Sequence, residues 1–228
     1  MTFAIILAAG SGLRLNRQTP KQYLTIFNRS LLEHVLMTFD QHSMIDELVI
    51  VVSLKDQTLF NKLNIKINKK HHLVIGGQTR QQSVFNSLDY LASFAKKDDI
   101  ILIHDSARVL IDRQTIERGL LAIKDYDGVT AIINSKDSLI SLNQGHHQYL
   151  NRDIIYRIQT PQIFRYEAIY NAHKKALKEP ITALDDFSLL DKSNKIGYYQ
   201  GSETNFKLTD ENDLLLLKAL LKKEEYAQ

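Results

Sequence analysis

The sequence predicts an α/β fold in which helices cover both faces of a mainly parallel sheet. Short apolar runs rich in β-branched residues alternate with segments of helical periodicity, which is the pattern of βαβ units. The chain has 228 residues, 44% of them hydrophobic and 24% charged, enough for one sizeable core. No repeat, linker or composition break divides it, so we expect a single domain over residues 1–228.

The first part of the chain supplies most of the predicted sheet. In sheets of this kind, ligands bind outside the carboxyl ends of the strands, so residues just after each strand are candidates for a site. The predicted strands are Phe3–Leu7, Leu48–Ser53, His72–Ile75, Ile100–Ile103 and Val129–Ile133. The predicted helices between them are Leu31–Asp40, Gln57–Leu63, Gln81–Ala95 and Gln114–Lys124.

The first strand runs into a loop of small residues, which let backbone amides close around an anion. These residues are Ala8, Ala9, Gly10, Ser11 and Gly12. Arg14 and Lys21 add positive charge, and Pro20 stiffens the approach to Lys21. Leu15 stands where the dinucleotide-binding fingerprint has its third glycine, which disfavours a nicotinamide-dependent dehydrogenase. The loop therefore predicts a phosphate site of another kind, the alternative being a tight turn with two solvated cations.

A glycine pair follows the third strand and precedes a helix. Gly76 and Gly77 would let the backbone approach a flat ligand closely. Thr79, Arg80 and Ser83 offer hydrogen-bond donors at the start of the next helix, although a helix cap alone would also explain Thr79.

The stretch IILIHDSAR predicts a buried strand that ends in His104 and Asp105. A carboxylate at that edge, opposite a phosphate loop, suits a Mg²⁺ ligand. The alternative is that Asp105 caps the following turn and pairs with Arg108 at the surface.

Residues 137–152 predict a protruding β-arm, with the strands SLISL and QYLNR around the turn NQGHH. Beyond it we expect helices over Tyr166–Lys178 and Leu184–Asp191, a strand over Ile196–Tyr199 and a last helix over Asp210–Glu225. Thr209 or Asp210 would cap that helix. Lys207 is assigned to a short strand. Asp185 and Asp186 are assigned to the cap of the helix that they open. His71 and His72 are assigned to a run of solvent-exposed polar residues before a strand.

Composition excludes several classes of protein. The net charge is +3 and the basic residues are scattered, so nothing indicates a nucleic-acid partner. The absence of cysteine excludes disulfides and thiolate metal sites. The first apolar run lacks a basic segment and ends too early for a signal peptide or a membrane span, so we expect a cytoplasmic protein without a membrane partner.

Together these motifs resemble the cytidylyltransferase family of the 2-C-methyl-D-erythritol 4-phosphate pathway, whose fold is Rossmann-like and GT-A-like. The resemblance covers nearly the whole chain, in order. The family's LAAGxGxR and PKQ correspond to residues 7–14 and 20–22, GGxxRxxSV to 76–84, HDxAR to 104–108, QTPQxF to 159–164, and NxKxT to 205–209.

The resemblance implies that CMP is transferred from CTP to a polyol phosphate with Mg²⁺ or another divalent cation, and that pyrophosphate leaves. It implies that Asp105 holds the metal. The implied catalytic residues are Arg14, Lys21 and Lys207. The implied nucleotide-binding residues are Ala8, Ala9, Gly10, Ser11, Gly12, Gly77, Gln78, Arg80 and Ser83. The implied substrate-binding residues are Asp105, Arg108, Ser138, Arg152 and Thr160.

The resemblance also implies a homodimer that forms through the β-arm, with Arg152 and Thr160 acting across the interface. The chain departs from the family on the polyol-phosphate side. Ser138 is not followed by the family's Lys, Val109 replaces a Pro, and Leu184 replaces a Thr.

Two alternatives stay open at this point. One is a ribitol 5-phosphate cytidylyltransferase of teichoic acid synthesis, a group that tends to have a glycine in place of Ala9 and a valine in place of Ala107. The other is a non-catalytic nucleotide-binding sensor, which would not need to retain Arg14, Lys21, Asp105 and Lys207 together.

Overall fold

A computed structural model of the chain describes residues 1–10, 19–143, 145–179 and 181–225. In chain order, the strands are β1 (Thr2–Ala8), β2 (Thr25–Ile26), β3 (Arg29–Ser30), β4 (Glu47–Val52), β5 (Lys70–Ile75), β6 (Ile100–Asp105), β7 (Gly128–Asn134), β8 (Leu139–Asn143), β9 (His146–Leu150), β10 (Tyr156–Arg165) and β11 (Ile196–Gln200). The helices are α1 (Leu31–Asp40), α2 (Gln57–Leu63), α3 (Arg80–Leu91), α4 (Arg113–Ala122), α5 (Tyr166–Lys178) and α6 (Glu211–Glu225).

A seven-stranded sheet forms the centre, in the order β11-β7-β10-β6-β1-β4-β5. Its neighbouring strands are parallel, except that β10 runs antiparallel to both β6 and β7. The predicted α/β architecture with a mainly parallel sheet is therefore confirmed. Because β1, β5 and β6 are parallel, their carboxyl ends meet at one edge of the sheet.

Strand β1 shows how the sequence places helices on both faces. Successive strand residues point to opposite faces. Phe3, Ile5 and Leu7 accordingly pack in a core with residues of α3 and α5. Ala4, Ile6 and Ala8 pack in a second core with residues of α1, α4 and α6.

Side-chain caps explain where several helices begin. Ser30 accepts a hydrogen bond from the backbone N–H of Glu33 at the start of α1, and Asp112 does the same for Thr115 at the start of α4. Such bonds satisfy donors that the first helical turn leaves unpaired. The predicted bounds of α1, α2 and α5 agree with the structure. Asp210 was one of the two residues predicted to cap α6, and its side chain accepts from the N–H of Asp213 at the start of that helix.

Three expectations for the second half of the chain are wrong. The ten-residue strand β10 was not predicted, although it lies inside the sheet. The helix predicted over Leu184–Asp191 is only one 3-10 turn, Phe187–Leu189. Lys207 does not lie in a strand, because residues 205–209 pair with no strand.

Strands β8 and β9 form a separate antiparallel sheet within the predicted arm. Ile140, Leu142 and Tyr149 on these strands are exposed by 45%, 75% and 75%. Within the described residues, no helix is long and apolar enough to cross a bilayer.

Candidate active site

The carboxyl ends of β1, β5 and β6 enclose a cleft of about 520 Å³. The loop after β1, the loop before α3 and the turn after β6 form its walls, and residues from the segment between β11 and α6 complete it. Its lining residues are Leu7, Ala9, Gly10, Lys21, Gln22, Gly77, Gln78, Thr79, Arg80, Ser83, Asp105, Ser106, Ala107, Lys207 and Thr209.

The structure brings many of the predicted site residues to this cleft. They are Ala9, Gly10, Lys21, Gly77, Gln78, Arg80, Ser83, Asp105 and Lys207. Ala8 is buried behind them. Arg108, Ser138, Arg152 and Thr160 do not line the cleft as this chain forms it. Ser11, Gly12 and Arg14 lie outside the described residues.

Gln22 lines the cleft but was not predicted as a site residue. Its Nε2 donates to the carbonyl oxygens of Ala8 at 2.8 Å and of Gly10 at 3.0 Å. The side chain is only 3% exposed, so these bonds fix the end of β1 and the start of the loop. The signal in the sequence was its place in the PKQ motif, directly after Lys21.

The loop before α3 lies close to the loop after β1 because position 76 is glycine. A Cβ on Gly76 would lie 2.6 Å from the Cβ of Ala9 and 2.8 Å from the Oγ of Ser83. Ser83 Oγ accepts from the N–H of Gly77 at 3.1 Å and donates to the carbonyl of Thr79 at 2.9 Å. Thr79 also caps α3 through the N–H of Gln82. The cap and the cleft wall are therefore built from the same residues.

Asp105 lies between two cations at the floor of the cleft. Its Oδ1 accepts from Arg80 Nε at 2.9 Å and its Oδ2 from Lys207 Nζ at 2.6 Å. Burial acts to raise the pKa of Asp105, but the charges of Arg80 and Lys207 hold that pKa well below its ordinary value. The carboxylate is therefore ionised throughout the neutral range. Arg108, which the alternative interpretation paired with Asp105, instead donates to the carbonyls of Asn205 and Ile158.

Loop contacts bring Lys207 to the cleft in place of the expected strand pairing. The N–H of Leu208 donates to the carbonyl of Ala107 at 2.8 Å. Lys21 Nζ donates to the carbonyl of Leu208 at 2.7 Å, and Asn205 Nδ2 donates to the carbonyl of Thr160 at 2.8 Å. These bonds tie the segment to the turn after β6, to the 3-10 turn that contains Lys21 and to β10, and they bring two ammonium groups to one wall of the cleft.

Thr160 supports Asp105 from behind the cleft. Its Oγ1 accepts from the N–H of Asp105 at 3.1 Å and lies 3.1 Å from Nδ1 of His104. Because that hydroxyl already accepts from Asp105, its proton is available to His104 Nδ1. His104 Nε2 then donates to the carbonyl of Arg108 at 3.1 Å. Burial lowers the pKa of His104 to about 4, so the ring is neutral.

Asp186 is not a helix cap. Its side chain is 1% exposed, its Oδ2 accepts from Arg80 Nη1 at 2.6 Å, and its Oδ1 lies 3.1 Å from His173 Nε2. His72, assigned to a solvated run, is also largely buried and pairs with Glu47 at 2.7 Å. Neither role was visible in the sequence, because each depends on a partner that is distant along the chain.

The cleft can hold a hard divalent cation through one carboxylate. Among its described lining residues, Asp105 is the one acidic side chain. No group of three or more His, Cys, Asp or Glu side chains forms a metal cage in the described part of the chain. Mg²⁺ commonly binds through one or two carboxylates and takes its remaining ligands from phosphates and water. The donor set fits a metal that arrives with a polyphosphate.

Comparisons with known proteins agree with this chemistry. Residues 2–223 match the profile of the family described as IspD, 2-C-methyl-D-erythritol 4-phosphate cytidylyltransferase. Proteins with that name from Clostridium acetobutylicum and Clostridium novyi are 36% and 35% identical to the chain. The first alignment covers 98% of both chains, and the second covers 96% of this chain and 95% of the relative. A crystal structure described as 4-diphosphocytidyl-2C-methyl-D-erythritol synthase from Anaerococcus prevotii superposes with a TM-score of 0.86 at 28% identity, over 97% of this chain and 98% of that one.

Proposed function

The chain belongs to the 2-C-methyl-D-erythritol 4-phosphate cytidylyltransferase family, and on this basis we propose how its cleft carries out the transfer. The enzyme is a nucleotidyltransferase that transfers CMP from CTP to 2-C-methyl-D-erythritol 4-phosphate in isoprenoid biosynthesis. The single observation that carries the assignment of roles is the convergence of Lys21, Lys207 and Asp105 on one cleft.

The reaction is an in-line displacement at the α-phosphorus of CTP. An oxygen of the acceptor's phosphate forms a bond to that phosphorus, the bond to the bridging oxygen of pyrophosphate breaks, and the electron pair leaves with pyrophosphate. Such chemistry depends on positioning and on charge neutralisation. Lys21 and Lys207 supply positive charge where it develops, and Arg14 has the same role by its match to the family motif.

Mg²⁺ is the proposed cofactor, and Asp105 would hold it. When bound, the metal would neutralise phosphate charge. The depressed pKa of Asp105 supports this assignment, because an ionised carboxylate is a metal ligand at neutral pH. Arg80 and Lys207, which share the carboxylate, keep it in a fixed place.

The walls around Gly77, Gln78 and Ser83 form the proposed cytosine and ribose site. Gly76 brings this wall within contact distance of the loop after β1, which supports a narrow slot for a flat base. Ala9 and Gly10 face the same space.

We further propose that the acceptor site is completed by a second copy of the chain. Ser138 and Arg152 are exposed and lie next to the arm strands rather than in the cleft of their own chain. The exposed apolar side chains of the arm support a role in a homodimer. Thr160 is a positioning residue for Asp105 rather than a phosphate ligand, since its hydroxyl is already bonded on both sides. We also propose a cytoplasmic location, with which the absence of cysteine is compatible.

Pyrophosphate release tests the proposal. The purified protein is incubated with CTP and Mg²⁺, and with either 2-C-methyl-D-erythritol 4-phosphate or ribitol 5-phosphate. Turnover with the first acceptor and little with the second is the expected result. Faster turnover with ribitol 5-phosphate would overturn the assignment of the acceptor. The absence of turnover with both acceptors would overturn the assignment of the activity.

A further inference from the structure

Arg80 is held between two carboxylates, and only one of them lines the cleft. Its Nε donates to Asp105 at 2.9 Å and its Nη1 to Asp186 at 2.6 Å. The side chains of Asp105 and Asp186 are 11% and 1% exposed. A planar guanidinium that bonds two carboxylates along different edges has its orientation set by both.

Asp186 is in turn fixed by two neighbours. Its second oxygen lies 3.1 Å from Nε2 of His173, which is also 1% exposed. The backbone N–H groups of Asp186 and Phe187 both donate to Oε1 of Gln162, at 3.1 and 3.2 Å. Gln162 is fully buried in β10. Asp186 is therefore anchored through its main chain and its side chain.

This arrangement limits what Arg80 can do. Two of its nitrogen atoms are committed to carboxylates, and the third, Nη2, is buried without a hydrogen-bond partner among the described residues. A guanidinium held in this way is poorly placed to follow the phosphates of an entering nucleotide. It is well placed to hold Asp105 Oδ1, which leaves Oδ2 directed at Lys207.

We propose that Asp186 and His173 are positioning residues that orient Arg80 and, through Arg80, the carboxylate of Asp105. Neither residue lines the cleft, so they act without contact with a substrate. The role of Arg80 thereby changes from a nucleotide ligand, as the family resemblance implied, to a link between the two carboxylates. The inference rests on the proposed function of Asp105.

The first test compares two neighbouring acids. Asp186→Asn removes the partner of Arg80. Asp185→Asn is the matched control, because Asp185 accepts from Ser188 and Gln162 in the same turn and makes no described contact with Arg80. We expect Asp186→Asn to lower kcat about 10- to 100-fold, as is usual when the support of a metal ligand is removed. The Mg²⁺ concentration for half-maximal rate should rise, and the KM for CTP should change little.

A double variant tests whether Asp186 acts through Arg80. In an Arg80→Met background, adding Asp186→Asn should change kcat by less than about twofold, because the group that Asp186 orients is already absent. An equal loss of kcat in both backgrounds would mean that Asp186 acts by another route. His173→Gln, which keeps an N–H donor, should retain more activity than His173→Leu.

The same question can be asked without turnover. In the NMR spectrum of ¹⁵N-labelled protein, the Nε–H signal of Arg80 is identified by its loss in Arg80→Met. That signal should exchange slowly with solvent in wild type and in Asp185→Asn, and rapidly in Asp186→Asn and His173→Leu.

Unchanged exchange in Asp186→Asn, or equal losses of activity in Asp185→Asn and Asp186→Asn, would overturn the inference. An inactive wild type with the expected exchange pattern would overturn the proposed function and leave the positioning contacts confirmed.

Discussion

Lys21 and Lys207 bring two ammonium groups to one wall of the cleft from distant parts of the chain. Lys21 reaches it from a single 3-10 turn, and Lys207 from a segment with no regular structure. The sequence motifs predicted both residues as part of the site. Gln22 was not assigned to the site although it ends the PKQ motif, and Asp186 was not assigned because a buried polar partner shows no periodicity and no composition signal.

Lys21→Ala tests the charge of the first loop. Loss of one stabilising charge at the reacting phosphate should lower kcat by about 100- to 1,000-fold. Its hydrogen bond to Leu208 is lost as well, so the melting temperature is measured alongside steady-state kinetics. Lys62→Ala on the exposed side of α2 is the control. A Lys21→Ala variant that folds and turns over like wild type would remove Lys21 from the mechanism.

His104 gives the protein a specific dependence of stability on pH. Burial lowers its pKa to about 4, against an ordinary value of about 6.5 in the unfolded chain. The unfolded chain therefore binds more protons between these values. The contribution to stability is complete well above pH 6.5 and is lost progressively as the pH falls from 6.5 to 4.

The free energy of unfolding should fall by about 2 kcal/mol between pH 7 and pH 5 because of His104. Urea unfolding at the two pH values measures this change. In His104→Gln, whose side chain cannot titrate, the difference in the free energy of unfolding between the two pH values should be about 2 kcal/mol smaller than in wild type. Equal differences in the two proteins would mean that His104 is not the titrating group.

At the scale of elements, the close approach of the loops after β1 and β5 depends on Gly76. Gly76→Ala would place a methyl group against Ala9 and Ser83. We expect a loss of about 1–3 kcal/mol in the free energy of unfolding and a higher KM for CTP. Gly10→Ala is the control for stability, since no atom of the described residues, other than those of its chain neighbours, lies within 4 Å of the position of its Cβ. An unaffected Gly76→Ala variant would show that the loops can separate without cost.

The arm offers a second test at this scale. Replacing Leu142 and Tyr149 together with Lys should prevent dimer formation, because two exposed apolar side chains become charged. Light scattering during gel filtration measures the mass, and the KM for the acceptor should rise while CTP binding persists. Leu121→Lys, an exposed position on α4, should leave the mass unchanged. A monomeric wild type would exclude the proposed interface.

The elements also show where prediction from sequence succeeds. Helices α1 and α5 were predicted because apolar residues recur at helical spacing along each of them. Strand β10 was missed because Pro161 and the buried polar residues Gln159, Thr160 and Gln162 interrupt its apolar pattern. Those polar residues are buried because they hydrogen-bond to the segments that carry Asp105, Asn205 and Asp186. The residues that support the site therefore remove the apolar pattern by which a strand is predicted. Phe206-Lys207-Leu208 alternates like a strand, yet no neighbouring strand pairs with it.

For the whole molecule, ligand binding should raise the free energy of unfolding most when CTP and Mg²⁺ are both present. CTP with Mg²⁺ at about 100 times the dissociation constant should add about 2.7 kcal/mol, which corresponds to about 5–10 °C in the melting temperature of a chain this size. CTP with EDTA should give a smaller shift. In Asp105→Asn, the shifts with Mg²⁺ and with EDTA should be the same. A Mg²⁺-dependent increment that survives in this variant would place the metal elsewhere.

The segment that completes the cleft, residues 205–209, leaves the ribosome late. Because the amino-terminal part of a chain emerges first, β1, β4, β5 and β6 leave the ribosome before residues 205–209. At that moment Asp105 lacks Lys207, and Lys21 lacks the carbonyl of Leu208. A nascent chain therefore has its nucleotide slot before it has its full set of charges. Translational pausing upstream of residue 205 would leave a precursor that lacks Lys207 and the core residues of α6, and an arrested-chain assay could test whether that precursor binds CTP.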